Sequence, residues 1–389
     1  MTGPEMDWQW FKSHLVRELL PRWYAAAVTE SGFFHAGLSR KWERIGPETA
    51  TLVSQSRLIF VFSAGHLVTK DPHYRSAAAE GTGFLLSKFK DPHGSGFFWS
   101  VDSSGTVLDR TREAYGHAFV ILALSTAARI FDREQLLQEA SEVLTLMNTR
   151  FRDPCGGIIR KMSEHWEDME SRRTQNPMMH LFEAALELTL SCRTSPATAA
   201  LERKARDCAR NIARFLMQRR DRSGCGCLPE FYDKDWKPLD KEHGGRFSVG
   251  HQFEWAFLLS LAEEKGVETG LLADAEQLLN AGIRSGLDMK TGAVYNEKES
   301  LGWWEHSEAA RALLHFACCR GRTEYLPLAA KVLRFTRKHF LDPAYGGWYE
   351  EVTTDGTPLC TDKGGHYKLD YHHTALCLEA IRLWRKARQ

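Results

Sequence analysis

The stretch Ser248-Val-Gly-His-Gln-Phe-Glu-Trp-Ala-Phe-Leu-Leu259 joins a glycine loop to the start of an apolar helix, and this combination recurs along the chain. His251 and Glu254 are three residues apart, so a helix projects them from one face, one turn from each other. A histidine beside a carboxylate is suited to proton transfer. An ordinary helix start also carries polar residues, because a glutamate there favours the positive end of the helix dipole. The stretch therefore predicts a helix and leaves both interpretations of its polar residues open.

Helical periodicity runs through the whole chain of 389 residues. Apolar residues recur at intervals of three and four, as in Phe257, Leu258 and Leu261, and this spacing predicts a series of helices. The predicted helices cover roughly residues 5–28, 47–69, 71–89, 112–130, 134–150, 173–191, 196–219, 251–265, 268–285, 303–319, 323–339 and 370–388.

Between alternate helices lies a glycine motif, and the last glycines of the six motifs are 64, 61, 69, 66 and 55 residues apart. Five of the motifs follow an aspartate by a few residues, and several continue into a short hairpin with its own turn. The motifs are Gly32-Phe33-Phe34, Gly96-Phe97-Phe98, Gly157-Ile158-Ile159, Gly226-Cys227, Gly292-Ala293-Val294 and Gly347-Trp348-Tyr349.

Six units of about 60 residues, each with two helices and a hairpin, form a repeat architecture. No linker rich in proline, glycine or serine interrupts the units, which favours one closed domain over residues 1–389. Six helical hairpins that bury one another's apolar faces predict an all-α fold, an (α/α)6 barrel with short β-hairpin loops. An open helical solenoid is the structural alternative, but it has no need of long glycine hairpins at one end.

Composition excludes several partners. There are 51 lysines and arginines against 50 aspartates and glutamates, so no global field recruits nucleic acid or an acidic membrane surface. The chain has no apolar run of 18 residues, and its N-terminus lacks the layout of a signal peptide, so we expect a cytoplasmic protein. The nine cysteines lack the paired spacing of a zinc knuckle, and we expect reduced, mostly buried thiols.

Polar residues interrupt the even-numbered helices of the predicted series, one set in each repeat. Burying such residues costs free energy unless they have partners or a task. A lone histidine in an apolar helix is more often a core residue, but the recurrence on one helix of each repeat predicts a shared cavity. The sets are Arg57; His117; Asn176 and His180; His251 and Glu254; Trp303, Trp304 and Glu308; His372 and His373.

The residue types in this cavity favour proton transfer over other chemistries. The chain lacks the Glu-x-x-His and His-Glu-x-x-His motifs of metal sites, and Arg57 would repel a cation, so we expect neither metal nor cofactor. Glycoside hydrolysis would need two opposed carboxylates, for which Glu254 and Glu308 are the candidates. Neutral histidines suit proton removal next to a carbonyl, with an arginine, an asparagine or another histidine stabilising the developing enediolate oxygen.

These residues together resemble the N-acylglucosamine 2-epimerase family of (α/α)6-barrel sugar isomerases and epimerases. The resemblance covers nearly the whole chain and rests on a series of short motifs that keep the family's order and separations. Gly-His-Gln-Phe-Glu-Trp-Ala at residues 250–256 looks most like the mannose isomerase branch. The motifs are Ser56-Arg57, Tyr115-Gly-His-Ala-Phe119, Asn176-Pro-Met-Met-His180 with Glu183-Ala184, Gly250-His251 with Glu254, Trp303-Trp304 with Glu308, and Tyr371-His372.

The resemblance implies that His251 and a histidine near the C-terminus are the acid/base pair. Tyr371, His372 and Cys377 fit the family pattern for the second position, so we choose His372, while His373 remains open. It further implies that Arg57 and His180 hold the C1 and C2 oxygens and that Glu254 orients His251. The remaining expected sugar contacts are His117, Asn176, Trp304 and Glu308. The segments 161–173 and 240–247 are expected beside the cavity, as a lid or rim or as solvated loops.

The resemblance implies an aldose-ketose isomerase that interconverts D-mannose and D-fructose through a cis-enediol, with a free monosaccharide as its partner. The alternatives are a sugar 2-epimerase acting on mannose and glucose, cellobiose or N-acylglucosamine, an (α/α)6 glycoside hydrolase, or a non-catalytic sugar-binding protein. The sequence leaves the oligomeric state open.

Overall fold

The computed structural model describes residues 6–93, 96–193, 195–221, 224–296 and 300–388, and twelve long helices within them follow the predicted order. Position 5, where the first predicted helix begins, lies outside these residues. Helix α1 joins Trp8–His14 to Leu20–Ala27 through the π-helical turn Leu15–Leu19, and α3, Pro72–Phe84, continues into the π-helical turn Leu85–Phe89. The others are α2 (Leu52–Thr69), α4 (Ala114–Ala127), α5 (Arg133–Thr149), α6 (Asn176–Cys192), α7 (Ala199–Met217), α8 (Val249–Glu264), α9 (Leu272–Gly286), α10 (Trp303–Cys319), α11 (Leu326–His339) and α12 (Tyr371–Lys386).

The even-numbered helices form an inner ring. Each packs on the next, and α12 packs back on α2, which closes the ring. In α2 every residue from Leu52 to Gly65 is buried, as expected for a helix that is apolar on all sides. The odd-numbered helices form an outer layer, and each buries only one face, against the outside of the inner ring. Helix α1 completes this outer layer by packing on α12. This is the predicted (α/α)6 barrel, and its closure contradicts the open solenoid.

The repeated aspartates shape the turns that follow the outer helices. The N–H of Asp153 donates to the carbonyl of Gly157, and the Asp153 carboxylate accepts from the N–H of Cys155, both at 2.8 Å. Gly156 between them has φ +103°, a conformation that favours glycine. The same pair of bonds recurs at Asp91, Asp288 and Asp342, so the repeat in the sequence is a repeat of one turn.

Three tryptophans connect neighbouring repeats at the end of the barrel where the hairpins lie. Trp42, Trp166 and Trp236 each occupy the left-handed region, at φ +68°, +67° and +60°. Each ring packs on a glycine of the preceding repeat's turn, at Gly347, Gly96 and Gly157 respectively. Because Trp42 belongs to the first repeat and Gly347 to the last, this contact forms part of the barrel's closing seam.

Short antiparallel strands lie immediately before the inner helices and link one repeat to the next. They gather at the N-terminal end of the inner ring, where β1, β4, β6 and β8 lead into α2, α4, α6 and α10. The sheets are β1 (Thr49–Thr51), β2 (Ser100–Asp102) and β3 (Val107–Asp109); β4 (Arg112–Glu113) and β5 (Lys161–Met162); β6 (Arg173–Thr174) and β7 (Phe231–Tyr232); and β8 (Ser300–Gly302), β9 (Glu351–Thr353) and β10 (Pro358–Cys360).

The cysteines depart from the expectation of reduced thiols. Cys225 and Cys227, whose Cα atoms are 5.2 Å apart, form a disulfide in the loop after α7. The other seven are free, and Cys192, Cys208 and Cys377 are buried. In the described part of the chain, no helix has both the length and the apolar character that spanning a bilayer requires.

Candidate active site

A cavity of about 490 Å³ opens at the N-terminal end of the inner ring. Its wall is built from the first turns of the inner helices and from the strands that precede them. Of the nine residues predicted for the site, six line this cavity. They are Arg57, Asn176, His180, His251, Trp304 and His372.

His251, the third residue of α8, is held by a carboxylate that precedes β7. Its Nδ1 lies 2.7 Å from Oε2 of Glu230. Burial alone would raise the pKa of Glu230, but the charge of His251 and hydrogen bonds from His251, Gln175 and Thr174 bring it below its ordinary value. The contact with the ionised Glu230 fixes the orientation of the His251 imidazole, which suits His251 to a role in proton transfer.

His372, the second residue of α12, has its own carboxylate partner. Its Nδ1 lies 2.7 Å from Oε1 of Glu308. Burial, together with the charge of Arg57, holds the pKa of His372 well below its ordinary value, and burial raises the pKa of Glu308 to about 7. This pair therefore gains or loses a proton near neutral pH. Glu308 does not line the cavity: it is fully buried and holds the histidine, and a contact between Glu308 and the sugar stays a prediction.

Trp304 lies between the two histidine pairs. Its ring centroid is 5.0 Å from the imidazole of His251 and 5.5 Å from that of His372. His373 does not line the cavity: its Nδ1 meets Ser307 Oγ at 2.7 Å, and its ring packs on Trp348. Of the two adjacent histidines, His372 is the one that faces the cavity.

Arg57 and His180 extend the site between the two pairs. Arg57 donates to the hydroxyl of Tyr115 at 2.7 Å and to the carbonyl of Tyr367, while its buried Nε has no partner within the described residues. His180 Nδ1 lies 3.4 Å from Oε2 of Glu183, and burial lowers the pKa of His180. Between the two histidine pairs the site thus presents the guanidinium of Arg57 and a further imidazole with a depressed pKa.

The sequence predicts that Glu254 orients His251, but in the structure Glu254 does not contact His251. It is fully buried, and neither carboxylate oxygen has a hydrogen-bond partner within the described residues; its nearest imidazole is His180, at 3.9 Å. Burial, with the nearby charges of Glu308 and Glu183, raises the pKa of Glu254 well above its ordinary value. The carboxylate that contacts His251 is that of Glu230, so the orienting role falls to Glu230.

His117, for which the sequence predicts a sugar contact, does not line the cavity. Its Nε2 accepts the N–H of Phe97 at 3.0 Å, and its Nδ1–H donates to the carbonyl of Glu113 at 2.8 Å. Both ring nitrogens are therefore engaged by the backbone, and the side chain is fully buried away from the cavity. In three other inner helices the fourth residue also accepts a backbone N–H from the turn of a glycine motif. These residues are Gln55, Gln252 and His306.

Carboxylates and histidines lie close together below the cavity. The ligand atoms of Glu254, Glu308 and His372 lie within 4.8 Å of one another, as do those of His180, Glu183 and Glu254. Arg311 supplies positive charge to this cluster, with Nη1 3.3 Å from Glu308 and Nη2 3.9 Å from Glu183. Two adjacent buried carboxyls do not fit glycoside hydrolysis, in which about 5 Å or more separates two groups that flank the bond.

The residues that sequence reasoning missed are Glu230 and Arg311. Glu230 lies in the loop before β7, outside the apolar helices whose polar residues predict the cavity. Arg311 lies three residues after Glu308 on α10, and the spacing of helical neighbours was the available signal for it. Of the two predicted rim segments, Arg172, Arg246 and Phe247 line the cavity, while closure of a lid stays a prediction.

The closed helical barrel and its cavity of paired histidines define an enzyme of the sugar isomerase and epimerase class. The chain belongs to the N-acylglucosamine 2-epimerase family, whose model matches residues 32–377. It is 26% identical to the D-mannose isomerase of Marinomonas mediterranea, across 98% of this chain and 99% of that protein. It is 23% identical to the cellobiose 2-epimerase of Bacteroides fragilis, across 96% and 98%. A crystal structure of a D-mannose isomerase superposes with a TM-score of 0.88 at 24% identity, covering 98% of this chain and 99% of that one.

Proposed function

We propose that this protein is an aldose-ketose isomerase that interconverts D-mannose and D-fructose within one closed-barrel domain. The observation that carries the proposal is the pair of histidines, each held by a glutamate at 2.7 Å, that face one cavity across Trp304. The likeness to the D-mannose isomerase of Marinomonas mediterranea supports the choice of sugar.

The proposed reaction moves one proton between neighbouring carbons. With the sugar in its open-chain form, His251 takes the proton from C2, and the C–H electron pair forms the C1–C2 double bond of the enediol as O1 gains a proton. Return of a proton to C1, with loss of the O2 proton, gives the ketose. His372 is proposed as the second acid/base group, because burial holds its pKa low and Glu308 exchanges protons near neutral pH.

The other polar residues of the cavity are proposed to bind the sugar. Arg57 and His180 would stabilise the oxygen that gains negative charge in the transition state, and Asn176 and Trp304 would contact the remaining hydroxyls. This chemistry uses side chains of the protein alone, and a reaction without a metal or cofactor stays a prediction.

The second candidate is a sugar 2-epimerase, which the likeness to a cellobiose 2-epimerase favours. Both reactions share the enediol, and they differ in whether the proton returns to C1 or to the opposite face of C2. Proton NMR of D-mannose incubated with the enzyme and a chelator separates them. Fructose as the main product supports the isomerase, and glucose as the main product would replace it with the epimerase. Sugar-dependent thermal stabilisation without any product would indicate a binding protein.

A further inference from the structure

Two arginines lie on one aromatic side chain at the mouth of the cavity. The guanidinium carbon of Arg172 is 4.0 Å from the ring centroid of Phe231, and that of Arg246 is 5.1 Å from the same centroid. All three residues line the cavity, and both arginines are exposed. Phe231 follows Glu230, the partner of His251, so the arginine pair lies beside the proposed reaction centre.

The other basic residues of the cavity wall already have acceptors. Arg160 binds Glu170 at 3.1 Å, and Arg57 donates to Tyr115. Lys368 donates to three backbone carbonyls at 2.8 to 2.9 Å. Within the described ranges, by contrast, neither Arg172 nor Arg246 makes a side-chain hydrogen bond or has a carboxylate within 4.0 Å.

Two guanidinium groups that share one ring repel each other, and an anion bound between them removes this repulsion. Each guanidinium presents parallel N–H donors that match the oxygens of a phosphate or sulfate group. Stacking on Phe231 limits the freedom of both side chains before the ligand arrives. The arrangement therefore favours an oxyanion over a neutral hydroxyl at this point of the cavity.

We infer that the preferred substrate is a hexose that carries a phosphate or sulfate-type oxyanion on its terminal carbon, bound by Arg172 and Arg246. The inference rests on the proposed isomerase function and adds a substrate class to it. The carbonyl end of the sugar lies at the histidine pairs, and the charged end points to the mouth, where the anion keeps part of its hydration.

Binding of sugars that cannot react tests the charge recognition by itself. Calorimetry compares a hexitol, a hexitol phosphate and a hexitol sulfate, which lack the carbonyl needed for isomerisation. We expect the anionic ligands to bind about 10- to 100-fold more tightly than the neutral hexitol, and added salt to weaken only the anionic ligands. Whichever of phosphate and sulfate binds more tightly identifies the group. Equal affinity for the neutral and charged hexitols would overturn the inference.

Arginine variants assign the effect to these two side chains. The double variant Arg172→Met/Arg246→Met should reduce the preference for the charged hexitol, measured as a ratio of affinities, by about 10- to 100-fold. Arg150→Met is the matched control, because Arg150 is also exposed and lies 5.8 Å from the Trp166 ring but does not line the cavity. A ratio that the double variant leaves unchanged would contradict the assignment.

Turnover distinguishes failure of the inference from failure of the proposed function. Isomerisation of D-mannose, together with equal binding of neutral and charged hexitols, would uphold the function and overturn the inference. Arginine-dependent binding of the charged hexitol without isomerisation of D-mannose or its 6-phosphate would uphold the anion site and overturn the isomerase. We expect isomerisation with a higher kcat/KM for the charged hexose, and a fall of that advantage in the double variant.

Discussion

At the scale of single residues, the two histidines of the cavity differ in what their carboxylate partners do. Hydrogen bonds and the charge of His251 keep Glu230 ionised, whereas burial brings the pKa of Glu308 to about 7. One pair therefore holds an ionised carboxylate against its imidazole, and the other contains a carboxyl that exchanges a proton near neutral pH. Pairs of titratable groups with such different surroundings are the usual basis for assigning acid and base roles.

The Glu230→Gln variant tests the first pair. A neutral amide cannot stabilise the imidazolium of His251, so we expect kcat to fall by about 100- to 10,000-fold while KM changes little. Steady-state kinetics with D-mannose measures both constants. Glu170→Gln is the control, because Glu170 binds Arg160 at the rim and does not contact a histidine. A Glu230→Gln enzyme with nearly wild-type kcat would remove Glu230 from the mechanism.

The Glu308→Gln variant tests the second pair through stability. A carboxyl with a pKa of about 7 in the folded protein, against about 4.3 in the unfolded chain, contributes stability below pH 4 that is lost as pH rises through 7. Glutamine has no such dependence. As the pH rises from 5 to 8, the wild type should therefore lose stability and the variant should not. The difference in free energy of unfolding, variant minus wild type, should rise by about 3 kcal/mol.

Urea denaturation at the two pH values measures this difference. Glu134→Gln, on the exposed side of α5, is the control and should show a constant difference from wild type. If the difference between Glu308→Gln and wild type is also independent of pH, Glu308 does not hold its proton up to neutral pH.

Which polar residues face the cavity depends on one position along a helix. His251 is the third residue of α8 and lines the cavity, whereas His117 is the fourth residue of α4 and tethers a glycine turn. One residue turns a helix by about 100°, so the two side chains point to different surroundings. The sequence predicts both as buried histidines of inner helices. It cannot separate them without the helix boundary, which is the least certain feature of a sequence pattern.

At the scale of the helix and its turn, His117 and the glutamines at the same position are interchangeable in role. The amide oxygens of Gln55 and Gln252 accept the turn's N–H as the imidazole of His117 does. We expect His117→Gln to keep most of the stability, and His117→Ala to lose about 2–4 kcal/mol because the Phe97 N–H loses its acceptor and a cavity forms. Thermal denaturation and kcat/KM are measured for both variants.

In both variants the folded enzyme should retain kcat/KM close to the wild-type value. If His117→Gln folds normally but loses activity, His117 contacts the sugar after all, as its position in an apolar helix suggested.

The helices themselves could be predicted well, because their ends carry strong local signals. Asp153 and Gly156 mark the end of one repeat's outer helix, and related residues mark four others. Glu230 could not be predicted in the same way, since it lies outside any helix and its role depends on a contact with His251, 21 residues away. The three tryptophans that connect neighbouring repeats could have been predicted. In each case, Trp42, Trp166 and Trp236, a serine or an aspartate lies three residues before the tryptophan.

At the scale of the whole molecule, closure of the ring determines how the barrel unfolds. Trp42 packs on Gly347, and Arg40 binds Asp342 at 2.8 Å, so the first repeat holds the last. Each inner helix has two inner neighbours, unlike the terminal repeats of an open solenoid, which can unfold separately. Each of the six inner helices contributes at least one residue to the cavity wall, so the geometry of the cavity depends on the closed ring.

The Trp42→Ala variant tests this closure. We expect it to lower the free energy of unfolding by about 2 kcal/mol, since the half-buried ring loses its packing. Loss of helical circular dichroism and loss of activity in urea should still coincide in one transition. Separate transitions, with activity lost before most of the helix content, would show that the repeats unfold independently and that the seam does not couple them.

The most direct test of the central claim follows deuterium from solvent into the sugar for the wild type, His251→Asn and His372→Asn. D-mannose is incubated in deuterated water with a chelator, and proton NMR measures label at C1 of fructose and at C2 of mannose. The two-pair arrangement predicts labelled fructose from the wild type and a loss of at least about 100-fold in each variant. A wild type that exchanges no proton at either carbon, or a variant that isomerises at the wild-type rate, would contradict the assignment of these two histidines to the reaction.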